Sequence, residues 1–506
     1  MVVAVDIGTT STKVVAYDAG GRARASHSTG YPLLEPQPGY AEQDPTAILD
    51  AVLTGLRAVC EHVGPVACLS FSSAMHSLLG LDARGTPLTP LITWADARAM
   101  PEAEALRATP AGLALHRRTG TPVHPMSPLT KLIWFAQHEP GPARRVAHWV
   151  GIKEYVLLAL CGQLVTDHSM ASGTGLLELE RLDWDAEALA LAGVTPDRLP
   201  ALVPTTAVLP GLTPATARAT GLPAGTPIVA GAGDGPLANL GLGAVRPGVA
   251  ACSIGTSGAL RVMVEQPGVD PSGGVFCYAL TPGRWVVGGA VNNGGIVLEW
   301  AADALAPDLA SDAPGRARAL LDLAAAVPPG SDGLLMLPYL LGERAPQWSA
   351  LPLGAYIGLT REHRRGHLAR AAIEGVCLQL SLVLDSVRAA GNEVREVRAT
   401  GGFARSPLWR QLLADVLGMP VGFPAGHEGS SWGAALLGMH ALGLVGSLDD
   451  AADLVPIVAT LPPDPAAAAV YAELRPVYAG IADALAPSFA AIRRLTPPRP
   501  PAHRTD

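Results

Sequence analysis

The sequence has 506 residues, of which 49% are hydrophobic and 16% charged, and its formal net charge is −8. This length predicts two to four folded domains, and the composition excludes an intrinsically disordered chain. The negative balance argues against a general nucleic-acid-binding protein, so an anionic ligand would need a locally cationic pocket.

The apolar runs and the cysteines bear on where the protein works. No apolar run reaches the length of about 20 residues that a membrane span needs, and Asp6 and Lys13 interrupt the start of the chain, where a signal peptide would be apolar. The six cysteines form no Cys-x-x-Cys pair, which favours reduced thiols. We predict a cytoplasmic protein with no membrane and no nucleic-acid partner, and the sequence leaves open whether it forms a homodimer.

The first stretch, residues 2–18, is typical of a β-hairpin with an anion-binding turn. An apolar strand leads to Asp6, a Gly-Thr-Thr-Ser-Thr run and Lys13, and a second apolar strand follows. Backbone N–H groups, hydroxyls and one cation at such a turn suit a phosphate, and Asp6 could hold Mg²⁺ through water. Asp6 could also be a turn acid that caps local N–H groups, and the threonines could reflect β propensity.

The rest of the first half alternates strands with helices. Strands are predicted at 24–31, 66–71, 78–81 and 227–232, and helices at 45–62, 128–137 and 153–160. Residues 88–175 are less regular, and we interpret them as an insertion that walls a pocket. The strand at 227–232 delivers Asp234, between two glycines, to the start of a helix.

The second half opens with an echo of the first hairpin at residues 249–264, where a strand again meets Ile-Gly-Thr-Ser-Gly and turns back. Ser253 stands where the first hairpin has Asp6, and Ala259 lies near the place of Lys13. We interpret the pair as a duplicated nucleotide clamp. Further elements are predicted as a hairpin at 276–287, helices at 316–326, 367–390, 407–417 and 431–442, and strands at 394–399 and 420–423.

Asp234 is the strongest candidate for a catalytic base. A carboxylate at this position can accept a hydroxyl proton while the hydroxyl oxygen attacks phosphorus, and the flanking glycines let substrate approach closely. An acid between a strand and a helix could instead be an N-cap, and the local sequence leaves this open.

Other residues could contact a nucleotide or a polyol. Gly401-Gly402, followed by Ser406, suits a flat adenine, although a tight strand-to-helix turn needs glycine just as much. Five residues could hydrogen-bond a polyol, and each could also be structural: His76, Trp94, Asp96, Arg98 and Lys131. Arg98 or Lys131 could pair with a carboxylate.

Taken together, these motifs resemble the FGGY family of carbohydrate kinases. The resemblance runs from residue 3 to about 444 and includes GAGDGPLANLG around Asp234, GERAPQW at 342–348, RAAIEGV at 370–376 and an adenosine-type motif at 400–421. It implies an α/β fold of two ribonuclease-H-like (actin-like ATPase) domains with an interdomain cleft that closes over sugar and MgATP. The implied domains are 1–245 (sugar and catalytic base), 246–460 (nucleotide) and 461–506 (helices and a disordered tail from Pro497).

The residues and the resemblance together predict the site. ATP would be bound by Thr9, Thr10, Ser11, Lys13, Gly255, Thr256, Gly295, Gly402 and Ser406. The sugar would be bound by Met75, His76, Trp94, Asp96, Arg98, Met126 and Lys131. Asp234 would be the base, and Asp6 would hold Mg²⁺ through water.

Four stretches, at 75–98, 119–135, 152–177 and 291–297, are similar to the family members that phosphorylate gluconate. They imply transfer of the γ-phosphate of ATP to the primary hydroxyl of D-gluconate, giving 6-phosphogluconate. A kinase of xylulose, ribulose or another polyol is the nearest alternative, and the cations that could meet a carboxylate, Arg98, Lys131 and Arg344, favour gluconate over it. An actin-like ATPase without a sugar substrate shares the two hairpins, but the pocket-forming insertion argues against it.

Two places depart from the family pattern. After Trp348 the family usually carries Asp and then Ala-Arg-Gly, whereas residues 349–354 here are Ser-Ala-Leu-Pro-Leu-Gly. We expect apolar contacts in this segment to replace a structural ion pair. Trp432 stands where a smaller residue is expected.

Overall fold

The computed structural model describes residues 1–426 and 429–495 and contains two large mixed β-sheets flanked by helices. The tail predicted to be disordered from Pro497 lies outside the described residues. The domain boundaries at 245 and 460 stay predictions.

The strands are short to medium in length and follow one another along the chain. In the first half they are β1 (Val2–Ile7), β2 (Ser11–Tyr17), β3 (Ala23–Gly30), β4 (Glu42–Gln43), β5 (Cys68–Ser73), β6 (Leu79–Leu81), β7 (Leu91–Ile92), β8 (His148–Val150), β9 (Val165–Asp167), β10 (Leu177–Glu178), β11 (Asp183–Trp184), β12 (Ala201–Val203), β13 (Val208–Leu209) and β14 (Ile228–Gly233). In the second half they are β15 (Val249–Ile254), β16 (Gly258–Val264), β17 (Phe276–Thr281), β18 (Arg284–Val291), β19 (Leu335–Leu337), β20 (Ala355–Ile357), β21 (Glu396–Thr400), β22 (Val421–Pro424) and β23 (Ile457–Leu461).

The helices connect and cover these strands. In the first half they are α1 (Pro45–Cys60), α2 (Met100–Arg107), α3 (Pro110–Thr119), α4 (Pro128–His138), α5 (Pro140–Arg145), α6 (Ile152–Cys161), α7 (His168–Ser172), α8 (Ala186–Ala192), α9 (Pro214–Thr220) and α10 (Asp234–Gly241). In the second half they are α11 (Ile296–Leu305), α12 (Ala313–Ala325), α13 (Arg365–Ala389), α14 (Pro407–Leu417), α15 (Gly429–Ala441), α16 (Leu448–Asp453) and α17 (Pro465–Leu495).

The two large sheets repeat one strand order. The first runs β13-β14-β5-β1-β2-β3 and the second β17-β18-β16-β15-β21-β22-β23. In each, an antiparallel three-stranded meander (β1, β2, β3 or β15, β16, β18) is continued by two strands parallel to its first strand (β5 and β14, or β21 and β22). This duplicated arrangement confirms the predicted fold of two ribonuclease-H-like units.

The register of the two hairpins matches the correspondence expected from the sequence. Asp6 lies opposite Lys13 in the β1–β2 pair, and Ser253 lies opposite Ala259 in the β15–β16 pair. The strands of the first hairpin extend further toward the turn than predicted, so Asp6 and Lys13 belong to the ladder itself. Pairing across the ladder holds each side chain on a defined face of the sheet.

Helix α13 is the central core helix of the second half. Its length and composition would allow it to cross a membrane, but 83% of its apolar 18-residue stretch is buried inside the protein. Arg370 pairs with Glu374 at 2.8 Å on this helix, and the hydroxyl of Tyr471 on α17 donates to Glu374 at 2.6 Å. These bonds satisfy a buried carboxylate and attach the C-terminal helix to the core.

Strand β17 joins the two halves of the molecule. It is the edge strand of the second sheet, yet the N–H of Cys277 donates to the carbonyl of Gly120 at 2.8 Å and the hydroxyl of Thr205 donates to the carbonyl of Leu280 at 2.7 Å. Gly120 has φ +68°, and a Cβ there would lie 2.1 Å from the carbonyl oxygen of Cys277, so only glycine permits this approach. The insertion of the first half therefore rests directly on the second sheet.

The two departures from the family pattern have structural explanations. Trp432 packs on Tyr17 with ring centroids 5.0 Å apart, and a Cβ on Gly21 would lie 2.8 Å from the indole, so Gly21 makes room for the larger residue. The altered segment after Trp348 is held by Arg493 of α17, which donates to the carbonyl of Ala350 at 2.9 Å. A hydrogen bond from the C-terminal helix therefore supports this segment in addition to the apolar contacts expected there, among which Leu353 packs against the core.

Candidate active site

Asp234 lies where β14 passes into α10. Gly231, with φ +77°, forms an irregularity in β14, and a Cβ there would lie only 1.8 Å from the carbonyl oxygen of Phe71. The N-cap position of α10 is Gly233, and Asp234 is the first helical residue, with its Oδ1 accepting from the N–H of Gly235 at 2.8 Å. Asp234 is therefore not the N-cap that the sequence left open, and its carboxylate lines a cavity between the two halves.

The surroundings of Asp234 bring its pKa close to neutral pH. Burial, and next the charge of Asp6, raise the pKa of Asp234 to about 6, and the opposing effects of Arg261, the N–H of Gly235 and Arg344 are smaller. A carboxylate with such a pKa is largely ionised at pH 7 and remains basic enough to accept a proton.

The cavity around Asp234 has a volume of about 290 Å³ and is lined from both halves. Six of the predicted site residues line it together with Asp234: Thr9, Met75, His76, Trp94, Met126 and Gly255. Six further lining residues were not among the predicted contacts: Ser253, Ser257, Arg261, Phe276, Tyr278 and Trp348. Of these, Ser257 and Trp348 belong to motifs that the sequence had already indicated. Arg344, weighed only as a partner for a carboxylate, lines the cavity as well.

His76 is held in a defined tautomer. Its backbone has φ +68°, uncommon for a non-glycine residue, and its Nδ1 lies 2.7 Å from the carbonyl oxygen of Gly173. A carbonyl only accepts, so Nδ1 carries the hydrogen and Nε2 is an acceptor, 3.4 Å from the hydroxyl of Tyr278. Burial lowers the pKa of His76 to about 3. The imidazole is therefore a neutral hydrogen-bonding group in the cavity wall.

Lys131 is a correction to the predicted sugar contacts. It does not line the cavity, and its Nζ donates to three backbone carbonyls: His76 at 2.6 Å, Thr93 at 2.8 Å and Met126 at 2.8 Å. An ammonium has three donors, so none is left for a substrate. Its three hydrogen bonds instead hold the segments that carry His76, Trp94 and Met126 next to one another in the cavity wall.

Asp96 and Arg98 are a second correction, because they form a buried pair behind the wall. Arg98 donates through Nε and Nη2 to Asp96 at 2.9 and 2.8 Å and through Nη2 to Glu42 at 2.5 Å. Its guanidinium also lies 3.9 Å from the ring centroid of Tyr40. Asp96 in turn accepts from the N–H of Ala41 at 2.7 Å. Neither residue lines the cavity, and the pair explains why a carboxylate and a guanidinium can be buried here.

The first phosphate-type turn is fastened to the cavity wall. Trp94 donates through Nε1 to the hydroxyl of Thr9 at 2.8 Å, and Gln43 donates to the carbonyl of Thr9 at 2.6 Å. The N–H of Gly8 donates to the carbonyl of Ser11 at 3.0 Å and closes the turn, which leaves Thr10 exposed at its tip. Thr9, Thr10 and Ser11 therefore sit together on one turn, with Lys13 following on β2.

The second turn brings three predicted nucleotide contacts together. The N–H groups of Gly294 and Gly295 donate to the carbonyls of Thr256 at 3.1 Å and Gly255 at 2.6 Å. Gly401, with φ +115°, lies against the end of β15, where a Cβ would meet the carbonyl oxygen of Ile254 at 2.2 Å.

Gly402 and Ser406 follow this contact along the chain. Gly402 begins a 3₁₀ turn, and Ser406 caps α14 by accepting from the N–H of Trp409 at 3.3 Å. The structure therefore brings Gly255, Thr256, Gly295 and Gly402, which the sequence predicted as nucleotide contacts, into one neighbourhood. The side chain of Ser406 is engaged in capping α14.

The donor set at the cavity suits a water-rich divalent cation. Among residues 1–426 and 429–495, no group of three or more His, Cys, Asp or Glu side chains could hold a metal. Mg²⁺ usually keeps several waters and binds through one or two carboxylates and substrate phosphates. Asp6, close enough to raise the pKa of Asp234, is a carboxylate that could serve such an ion.

Comparison with known proteins agrees with this geometry. Models of the FGGY family of carbohydrate kinases match residues 1–241 with the N-terminal domain and 250–442 with the C-terminal domain. Gluconokinase of Bacillus subtilis (strain 168) is 42% identical over 94% of each chain. The solved structures of gluconate kinase and of ligand-bound xylulose kinase from Lactobacillus acidophilus each superpose with a TM-score of 0.93 at 38% identity, covering 97% of this chain and 99% of the other. The chain belongs to the FGGY family of carbohydrate kinases and is a carbohydrate kinase.

Proposed function

We propose that the protein transfers the γ-phosphate of ATP to the primary hydroxyl of D-gluconate, giving 6-phosphogluconate. The observation that carries this proposal is a cavity in which a carboxylate of raised pKa, Asp234, shares the walls with two guanidinium groups, Arg261 and Arg344. An anionic sugar fits a cationic cavity in a chain whose net charge is −8. The similarity to a gluconokinase over 94% of the chain supports the same substrate.

Asp234 would act as the general base. Its carboxylate accepts the proton of the 6-hydroxyl as that oxygen forms a bond to the γ-phosphorus, and the bond between the γ-phosphorus and the bridging oxygen breaks, releasing ADP. His76, neutral and with Nε2 as an acceptor, would hold a sugar hydroxyl. The indole of Trp94, already bonded to Thr9, would link the sugar wall to the first phosphate turn.

The nucleotide would lie between the two hairpin turns. Thr9, Thr10, Ser11 and Lys13 would contact the transferred phosphate, and Gly255, Thr256 and Gly295 would hold the phosphates from the second half. Gly402 and Ser406 would line the adenosine. Mg²⁺, held by Asp6 through water, would neutralise charge on the phosphates when bound.

A kinase of a neutral ketose is the second candidate, because the superposition with ligand-bound xylulose kinase is as good as that with gluconate kinase. The actin-like ATPase alternative is not retained, since the chain is a carbohydrate kinase.

ATP consumption across D-gluconate, other sugar acids, D-xylulose and D-ribulose, with a sugar-free blank, separates the candidates. We expect kcat/KM to be at least about tenfold higher for gluconate than for either ketose. A ketose that exceeded gluconate would overturn the proposal. Asp234→Asn serves as the catalytic control and should lower turnover by about 10²–10⁴-fold.

A further inference from the structure

The two guanidinium groups in the cavity differ in how far the protein uses them. Arg344 donates through Nη2 to the carbonyl of Val291 at 3.2 Å, and its guanidinium lies 4.9 Å from the ring centroid of Trp94. Arg261 has no side-chain hydrogen bond and no ion pair within the part of the chain that the structure describes. Both guanidinium groups therefore keep donors for a ligand, but Arg261 keeps all of them, whereas Arg344 uses Nη2 for the backbone and lies over Trp94 while its buried Nε has no partner.

The backbone around Arg261 aims this side chain at the catalytic base. Arg261 lies on β16 opposite Gly288 of β18, and a Cβ on Gly288 would come within 3.0 Å of the Cγ of Arg261, so glycine leaves space for the stem. At the other end, the Nε of Arg261 lies 3.5 Å from where a Cβ on Gly235 would be. The guanidinium therefore crosses from the second sheet to the start of α10.

Two of the three cations that the sequence offered for a carboxylate are already engaged. Lys131 gives its three donors to backbone carbonyls, and Arg98 is paired with Asp96 and Glu42. A guanidinium enclosed with unused donors is costly unless a ligand supplies acceptors, and a carboxylate matches its planar fork with two parallel hydrogen bonds.

We propose that Arg261 binds the carboxylate of the sugar acid and is the residue that selects a sugar acid over a neutral ketose. This inference rests on the proposed function. A ketose would leave the guanidinium without an acceptor, and a site built for a charged group discriminates strongly against a substrate that lacks it. The transferred phosphoryl group is the other anion that could bind to Arg261. Two substrates, one with a carboxylate and one with an uncharged amide in its place, distinguish between these two anions.

The test compares D-gluconate with D-gluconamide, in which an uncharged amide replaces the carboxylate, in the wild type and in Arg261→Gln and Arg261→Lys. We expect Arg261→Gln to lower kcat/KM for gluconate by about 10²–10⁴-fold and to change that for gluconamide by less than about threefold. Arg261→Lys keeps the charge without the fork and should fall between. Arg395→Gln, an exposed arginine of the second half, is the matched control, and thermal unfolding verifies that each variant is folded.

Two results would overturn the inference while leaving the proposed function intact. An equal loss with gluconate and gluconamide would assign Arg261 to the transferred phosphoryl group. Unchanged gluconate kinetics in Arg261→Gln would show that Arg261 touches neither anion. A wild type that prefers a neutral ketose would instead defeat the proposed function, and this is read from the wild-type panel before any variant is compared.

Discussion

The hydroxyl of Ser430 donates a hydrogen bond of 2.8 Å to Oδ2 of Asp6 across 424 positions of sequence. Asp6 belongs to β1 of the first sheet, and Ser430 lies in the first turn of α15, which follows the second-sheet strand β22 in the chain. The carboxylate proposed to hold Mg²⁺ is therefore oriented in part by a residue of the other half.

Replacing Ser430 with alanine should weaken the binding of Mg²⁺ and leave the chemical step largely unchanged. The loss of one hydrogen bond to a carboxylate costs about 1.5–3 kcal/mol, most of it through freedom gained by Asp6. We expect the Mg²⁺ concentration for half-maximal rate to rise by up to about 10–150-fold, with kcat nearly restored at saturating Mg²⁺. Ser447→Ala, on an exposed turn, is the control, and a fall in kcat that excess Mg²⁺ does not restore would contradict the assignment.

The activity should depend on pH through Asp234. Burial, and next the charge of Asp6, raise the pKa of this carboxyl to about 6. A general base must be ionised, so kcat/KM should increase with pH and reach half its plateau near pH 6. Arg261 lowers the pKa of Asp234, so Arg261→Gln should move this half-point to higher pH. A profile that stays flat between pH 5 and 7 would rule out Asp234 as the titrating base.

The same carboxylate should oppose folding at neutral pH. Its folded pKa of about 6 lies above the ordinary value of 3.8, so the folded state binds the proton more tightly than the unfolded state does. Its favourable contribution is present below about pH 4 and is lost as pH rises through 6. Asp234→Asn should therefore raise the free energy of unfolding at pH 7.5 by up to about 3 kcal/mol and do little at pH 4. Urea unfolding at the two pH values measures this difference.

Loss of Lys131 should lower activity with every sugar substrate, because its hydrogen bonds hold the segments that form one wall of the cavity. Lys131→Met leaves the carbonyls of His76, Thr93 and Met126 buried without their donor. We expect a loss of about 2–5 kcal/mol in the free energy of unfolding and a fall in kcat/KM for gluconate and gluconamide alike. Arg57→Met, an exposed residue, is the control. Selective loss of gluconate turnover would instead mean that Lys131 contacts the carboxylate.

The sequence predicted the parts of the site that backbone geometry determines. The two hairpins, their unequal acid and lysine positions, and the delivery of Asp234 by a strand all follow from local patterns of apolar, glycine and hydroxyl residues. The repeated strand order of the two sheets agrees with this local reading.

The use made of each cation could not be predicted in the same way. Arg261 lies inside an apolar strand, where the sequence gives no sign that its face lines a cavity. Lys131 and Arg98 are engaged by acceptors that come in part from distant segments, such as Thr93 and Glu42, and a local pattern does not show these neighbours. Tertiary packing, which a single sequence does not display, decides which cation stays available.

Strand β17 has a consequence for how substrate preference could change in evolution or by design. It carries Phe276 and Tyr278 into the sugar cavity from the second sheet, while His76 and Met126 enter from the first half. Grafting one half of this kinase onto the complementary half of another would therefore combine cavity walls whose side chains are not complementary in shape. A preference for a particular sugar is inherited by the two halves jointly, so chimeras would need changes on both sides to acquire it.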